Sequence, residues 1–138
     1  MREILFRGKR LDNGEWIIGH LLKYADGRAR INESHTDIFC YEKDNSIIQT
    51  VAHEVDPDTV GQYTGLTDKN GKRIFEGDIV RGTDALERGL KVYGYIDHKN
   101  GSFVIVGDMM THYRWLDYDV EIIGNIHDNY ELLEENND

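Results

Sequence analysis

Short apolar or alternating runs separated by turn dipeptides dominate this chain, and the spacing of apolar residues expected of helices is scarce. Asn13-Gly14, Asp26-Gly27, Asn70-Gly71 and Asn100-Gly101 all tolerate positive φ, the backbone sign that tight hairpin turns require. The pattern therefore predicts a succession of hairpins. Strands are expected at Ile4–Arg7, Glu15–Tyr24, Ile47–Val51, Ile74–Arg81, Lys91–Ile96, Phe103–Val106 and Glu121–Ile126. Thr83–Leu90 has room for one short helix, Met109–Leu116 for a helical turn, and Asn129–Glu135 for a C-terminal helix ahead of a fraying acidic tail.

A second pattern lies inside the strands. Ile17-Ile18-Gly19-His20-Leu21, Val92-Tyr93-Gly94-Tyr95-Ile96 and Ile122-Ile123-Gly124-Asn125-Ile126 each set a glycine between apolar flanks. Glycine sacrifices packing in a strand, so its recurrence predicts bulges, coiling or a neighbouring backbone passing close by. The stretch Gly65–Gly82 adds a corner. Asp68-Lys69-Asn70-Gly71 closes a turn, Arg73-Ile74-Phe75 enters a strand, and Glu76-Gly77-Asp78 re-aims the chain ahead of Ile79-Val80. Glycine permits such a bend and Asp78 can accept from nearby amides, a device suited to an SH3-like small barrel. Asn70, Gly71, Gly77, Asp78 and Gly124 are thus read as structural turn and corner residues. The expected fold is mainly β, with two small lobes: residues 1–62, and residues 63–138 as an SH3-like bent barrel with one or two short helices and an acidic tail.

Composition narrows the setting. The chain has 138 residues, one proline and 39% hydrophobic content, which fits one domain or two small lobes. Cys40 is the single cysteine, so no internal disulfide forms, and a reducing interior, the cytoplasm, is the expected compartment. No apolar run has the length of a signal peptide or a membrane span. The formal net charge of -10, from 26 acidic and 16 basic residues, repels a nucleic-acid backbone and argues against such a partner. The densest basic segment holds Arg2, Arg7, Lys9 and Arg10 and reads as a solvated strand edge.

Several motifs also carry a resemblance. Gly61-Gln62-Tyr63-Thr64-Gly65-Leu66, Asp68-Lys69-Asn70-Gly71-Lys72 and Ile74-Phe75-Glu76-Gly77-Asp78-Ile79-Val80 look like the signature of the YopX-like family of phage and prophage proteins. Gly124-Asn125-Ile126-His127-Asp128-Asn129 with Glu131-Leu132-Leu133 resembles that family's C-terminal motif, and Ile4 to Gly19 is similar to its start. The resemblance is weakest over Tyr24–Val51 and Thr83–Lys91. It implies a mostly β protein encoded by temperate phages of bacteria, without an established activity. No catalytic residues carry over from it.

The residues themselves offer little chemistry. His20, His35, His53, His98, His112 and His127 never fall into metal-binding spacing, and Asp68-x-Asn70-Gly71 lacks the later acidic ligands of a calcium loop. Ser34, His35 and Asp37, with Cys40 nearby, supply the atoms of a triad, but triads assemble in space and are seldom contiguous. Asp117, Asp119 and Glu121 alternate, as a metal site or the solvated face of an amphipathic strand would. Tyr93 and Tyr95 share a strand face, and Tyr113, Trp115 and Tyr118 precede the last strand, so these five are binding candidates if exposed and core if buried. The expectation is a noncatalytic, self-associating protein without cofactor or metal, whose partner is a phage or host bacterial protein. The alternative is a nucleic-acid-associated barrel using Tyr93, Tyr95, Arg2, Arg7 and Lys91.

Overall fold

The computed structural model describes residues 3–33, 52–86 and 88–135. The expected strand Ile47–Val51 lies outside them, as do Arg2, Ser34, His35, Asp37, Cys40 and the last residues of the acidic tail. The protein is mainly β. Its strands are β1 (Phe6–Lys9), β2 (Trp16–Lys23), β3 (Ala29–Asn32), β4 (Ala52–Val55), β5 (Gly61–Thr67), β6 (Arg73–Phe75), β7 (Asp78–Asp84), β8 (Lys91–Lys99), β9 (Ser102–Val106), β10 (Thr111–His112) and β11 (Tyr118–Asn125). A 3-10 turn spans Pro57–Thr59, and α1 (Glu131–Glu135) is the α-helix found among the described residues. The chain separates into two compact units, Met1–Gln62 and Tyr63–Asp138.

In the first unit the strands run antiparallel in the order β4-β3-β2-β1, and β1 also pairs with the start of β5 through Phe6↔Gln62 and Arg7↔Gly61. Alternation sends Ile17 inward with Ala29, Ile31 and Val55, and Phe6, Leu21 and Val60 pack around this core. Gly19 belongs to the Gly-centred pattern for a steric reason, since a Cβ there would collide with the Asn32 carbonyl oxygen of the neighbouring strand. The basic segment is less bare than its composition suggests. The Arg7 guanidinium lies 4.8 Å and the Lys9 ammonium 5.5 Å from the Trp16 ring centre, and Arg10 pairs with Asp12 at 2.7 Å.

In the second unit a five-stranded antiparallel sheet runs β10-β9-β8-β7-β11, and β6 pairs with the far part of β5 through Tyr63↔Phe75 and Thr67↔Arg73. The sheet is open in its hydrogen bonding, with β10 and β11 at its two edges. Ile74, Val80, Val92, Ile96, Ile105, Trp115 and Val120 form its core. Gly94 lets β9 approach, because a Cβ there would strike the Val106 carbonyl oxygen, and a register shift between Ile122 and Gly124 marks a bulge.

The Gly-Asp corner joins β6 to β7. Gly77 has φ of 91°, its N–H donates to Ile96 O and its carbonyl accepts from Ile126 N, both at 2.8 Å. Asp78 is buried, and its Oδ2 accepts from Phe75 N at 2.8 Å. Asn70-Gly71 closes the β5–β6 hairpin, with Gly71 N donating to Asp68 O at 3.0 Å. Two expected helical segments are not helices. Strand β7 continues to Asp84, whose carboxylate then accepts from Leu86 N at 3.0 Å and Arg88 N at 3.3 Å, so side-chain bonding captures the amides a helix would use. Met109–Leu116 instead holds the short strand β10 and a turn in which Tyr118 N reaches Trp115 O at 3.1 Å.

Candidate functional site

The outer face of the five-stranded sheet is laid out by its register. Arg81 stands between Glu121 on β11 and Tyr93 on β8, and the next row sets Thr83 between Asp119 and Lys91. Val92, Gly94 and Ile96 occupy the alternate, inward positions of β8, which fixes Tyr93 and Tyr95 on the opposite face. A groove of about 550 Å³ runs over this ladder, with the Gly107–Met110 loop as one wall and Lys69 and His112 also in its lining. Arg81 Nε and Nη2 both donate to Glu121 Oε1 at 3.2 Å. Met109 is 91% exposed and Met110 62% exposed.

The five aromatic candidates do not converge. Trp115 is core, and its Nε1 donates to Phe103 O at 2.9 Å. Tyr118 is half-buried against the same core, with His112 edge-on at 6.1 Å. Tyr113 is exposed, beside a separate cleft lined by Leu66, Phe103 and Leu116. Tyr93 and Tyr95 are half-buried, and the Tyr93 hydroxyl donates to Leu132 O of α1 at 2.8 Å. Burial, together with Asp97 and Tyr130, raises the Tyr95 hydroxyl pKa above its ordinary value. These two rings therefore do not form a bare stacking platform.

A family model described as YopX protein matches residues 5–134. The chain belongs to the YopX family. No curated protein matches this YopX-family chain.

The other candidates resolve individually. Asp119 and Glu121 share the groove, but Glu121 is tied to Arg81, and Asp117 lines the separate cleft. Among the described residues no group of three or more His, Cys, Asp or Glu side chains is placed to hold a metal ion. His98 lies edge-on to Phe103 at 5.0 Å, and His53 Nε2 is 3.8 Å from Glu33 Oε1. Among the described residues no helix is long and apolar enough to cross a membrane.

The structure also gives residues roles that sequence reasoning did not assign them. Asp68 of the YopX chain is buried. Its Oδ1 accepts from Asn70 N at 2.8 Å and Lys72 N at 2.9 Å, and its Oδ2 accepts from Ile122 N at 3.0 Å. Burial raises its pKa, but the amides of Ile122, Lys72 and Asn70 outweigh that and leave it below the ordinary value. Lys69 N donates to Val120 O at 2.9 Å, so the hairpin tip covers the outer edge of β11 at two points. Asp84 is likewise held below the usual carboxylate range, chiefly by its hydrogen bonds from the Arg88 guanidinium. Met109-Met110 could have been found as an apolar doublet inside a Gly-Asp loop. The reach of Asp68 to residue 122 has no sequence signal.

Proposed function

We propose that this YopX-family protein is a noncatalytic interaction module of phage or prophage origin that works in the cytoplasm of a bacterial host and binds a phage or host protein through the groove over β7, β8 and β11. One observation carries the reading: Met109, 91% exposed, and Met110, 62% exposed, stand at the wall of a groove whose floor is a ladder of charged and hydroxyl side chains. Thioethers adapt to irregular partners, and a polar floor fixes orientation. The covering of Tyr93 and Tyr95 does not favour base stacking, and the net charge of -10 adds to that. Self-association is assigned to the exposed Leu66, Tyr113 and Leu116, because Val120 O and Ile122 N on the outer edge of β11 are already engaged. It requires a solution mass above the chain's 16.0 kDa in light scattering at micromolar concentration.

The test uses a photo-crosslinking amino acid at position 109 in bacteria carrying the parent phage, with the same residue at the exposed Leu11 as control. The expected result is a discrete protein adduct from position 109 and none from 11. Equal labelling at both positions refutes the site, and an adduct removed by nuclease supports a nucleic-acid partner instead.

A further inference from the structure

The outer face of the second unit's sheet is only partly open. The part around Tyr93 and Tyr95 lies under the chain's C-terminal strap, which starts at a turn where Asn125 Oδ1 accepts from His127 N and Asp128 N, both at 3.0 Å. Beyond Asn129 the strap reaches the sheet through Tyr93, whose hydroxyl donates to Leu132 O at 2.8 Å, and through Leu133, which lines a space over Gly94 and Tyr95.

Three features make the strap a poor permanent cover. A cavity of about 240 Å³ remains between it and the sheet, bounded by Tyr93, Gly94, Tyr95 and Val106 on one side and by Tyr130, Leu133 and Glu134 on the other. The charged residues lining that cavity, Asp108 from the Gly107–Met110 loop and Glu134 from the strap, are both acidic. Helix α1 has five residues, too few to hold itself as a helix, and although Glu131 and Glu134 suit the positive end of its dipole, no basic residue in its last turn complements the other end. Tyr93, Gly107 and Asp108 line this cavity and the larger groove alike, so lifting the strap would join the two spaces along one face.

We propose that the strap is a displaceable occupant of a docking face, and that the face takes in its place a short helical segment of another protein, with two consecutive leucines followed by a basic residue. The leucines reproduce Leu132 and Leu133, and a cation where Glu134 stands would share the cavity with the acidic Asp108 in place of a second carboxylate. The chain's net charge of -10 favours the same partner at long range. This inference rests on the protein-interaction reading, but its test does not use position 109.

Hydrogen exchange on the full wild-type chain comes first. Amides of residues 130–134 should exchange at least about 100-fold faster than those of Val92–Ile96, as a locally opening segment does. Strap amides as protected as β8 would overturn the proposal. The second measurement is fluorescence anisotropy with a labelled peptide of residues 126–135 carrying Glu134→Lys. It should bind full-length Leu133→Asp protein, whose strap is undocked, at least about tenfold more tightly than wild type. On the same protein it should also bind about threefold more tightly than the native-sequence peptide. Equal affinity of the two peptides refutes the charge argument and with it the proposed partner. If Leu133→Asp fails to fold, the exchange measurement on wild type and the two peptides' ratio on wild type still decide.

Discussion

Two hairpin tips in this protein share one local design and differ in everything beyond it. At the β2–β3 tip, Gly27 N donates to Tyr24 O at 3.0 Å, Tyr24 N donates to Arg28 O at 2.9 Å, and Asp26 Oδ1 accepts from Arg28 N at 3.0 Å. At the β5–β6 tip, Gly71 N donates to Asp68 O at 3.0 Å, Asp68 N donates to Lys72 O at 2.8 Å, and Asp68 Oδ1 accepts from Asn70 N. In both, aspartate organises a turn that glycine closes, Asp68 from the position Tyr24 holds in the other tip and Asp26 from that of Asn70. Asp26 is exposed and spends its remaining oxygen on the Arg28 side chain at 2.8 Å. Asp68 is buried and spends its own on Ile122, 54 residues away. The same turn chemistry thus ends in solvent in one unit and fastens a strand edge in the other.

The largest way to break that comparison is Asp68→Ala. It strips three backbone amides of a charged acceptor and should cost about 3 kcal/mol in denaturant unfolding. A loss no greater than that of an exposed turn residue would show that the bond to Ile122 is not stabilising. Gly77→Val tests the corner that follows the same hairpin. A β-branched side chain at a φ of 91° should cost about 2 kcal/mol, and thermal melts matching wild type would contradict the strain argument.

Asp68→Asn sharpens the comparison. Its carbonyl oxygen can still serve the turn, but its amide faces the Ile122 N–H, so about 1.5 kcal/mol should be lost. The pH dependence has a definite sign. Asp68 has its folded pKa below its ordinary value, so its stabilisation is fully present above the unfolded pKa near 3.8 and disappears as pH falls through the folded value. Asp68→Asn should therefore flatten the acid limb of the stability curve, and an unchanged limb would assign it to other carboxylates. Asp26→Ala is the smallest effect. Its pKa too is lowered, chiefly by the Arg28 amide, but the group is exposed, and the melting temperature should not change beyond error at physiological salt.

The contrast explains what could be read from the chain. Turn chemistry is local, so Asn13-Gly14, Asp26-Gly27, Asn70-Gly71 and Asn100-Gly101 were legible, and Asn100 and Gly101 both take positive φ, at 51° and 84°. The inward glycines at Gly19 and Gly94 were also legible, because their apolar flanks advertise a strand. Strands β3, β4 and β5 were not. Ala29-Arg-Ile-Asn, Ala52-His-Glu-Val and Gly61-Gln-Tyr-Thr-Gly-Leu-Thr have weak strand preference and are strands because partners pair with them. The fate of each aromatic candidate was not legible for a related reason: whether Trp115 is buried and Tyr113 exposed depends on Phe103 and Leu66, distant in sequence. Charge on the groove face was half legible, since alternation put Asp119 and Glu121 together but could not supply Arg81 as the counter-ion.

Trp115, described above as a core residue hydrogen-bonded to Phe103, is also an optical instrument. The chain has two tryptophans, one in each compact unit. Trp16 sits half-buried under the cations of Arg7 and Lys9, while Trp115 is sealed in apolar surroundings with its indole N–H satisfied. Their emission should differ in colour and in sensitivity to soluble quenchers. Replacing either by phenylalanine leaves the other as a single reporter, and one denaturant titration on each variant would reveal whether the two units melt at one midpoint or at two.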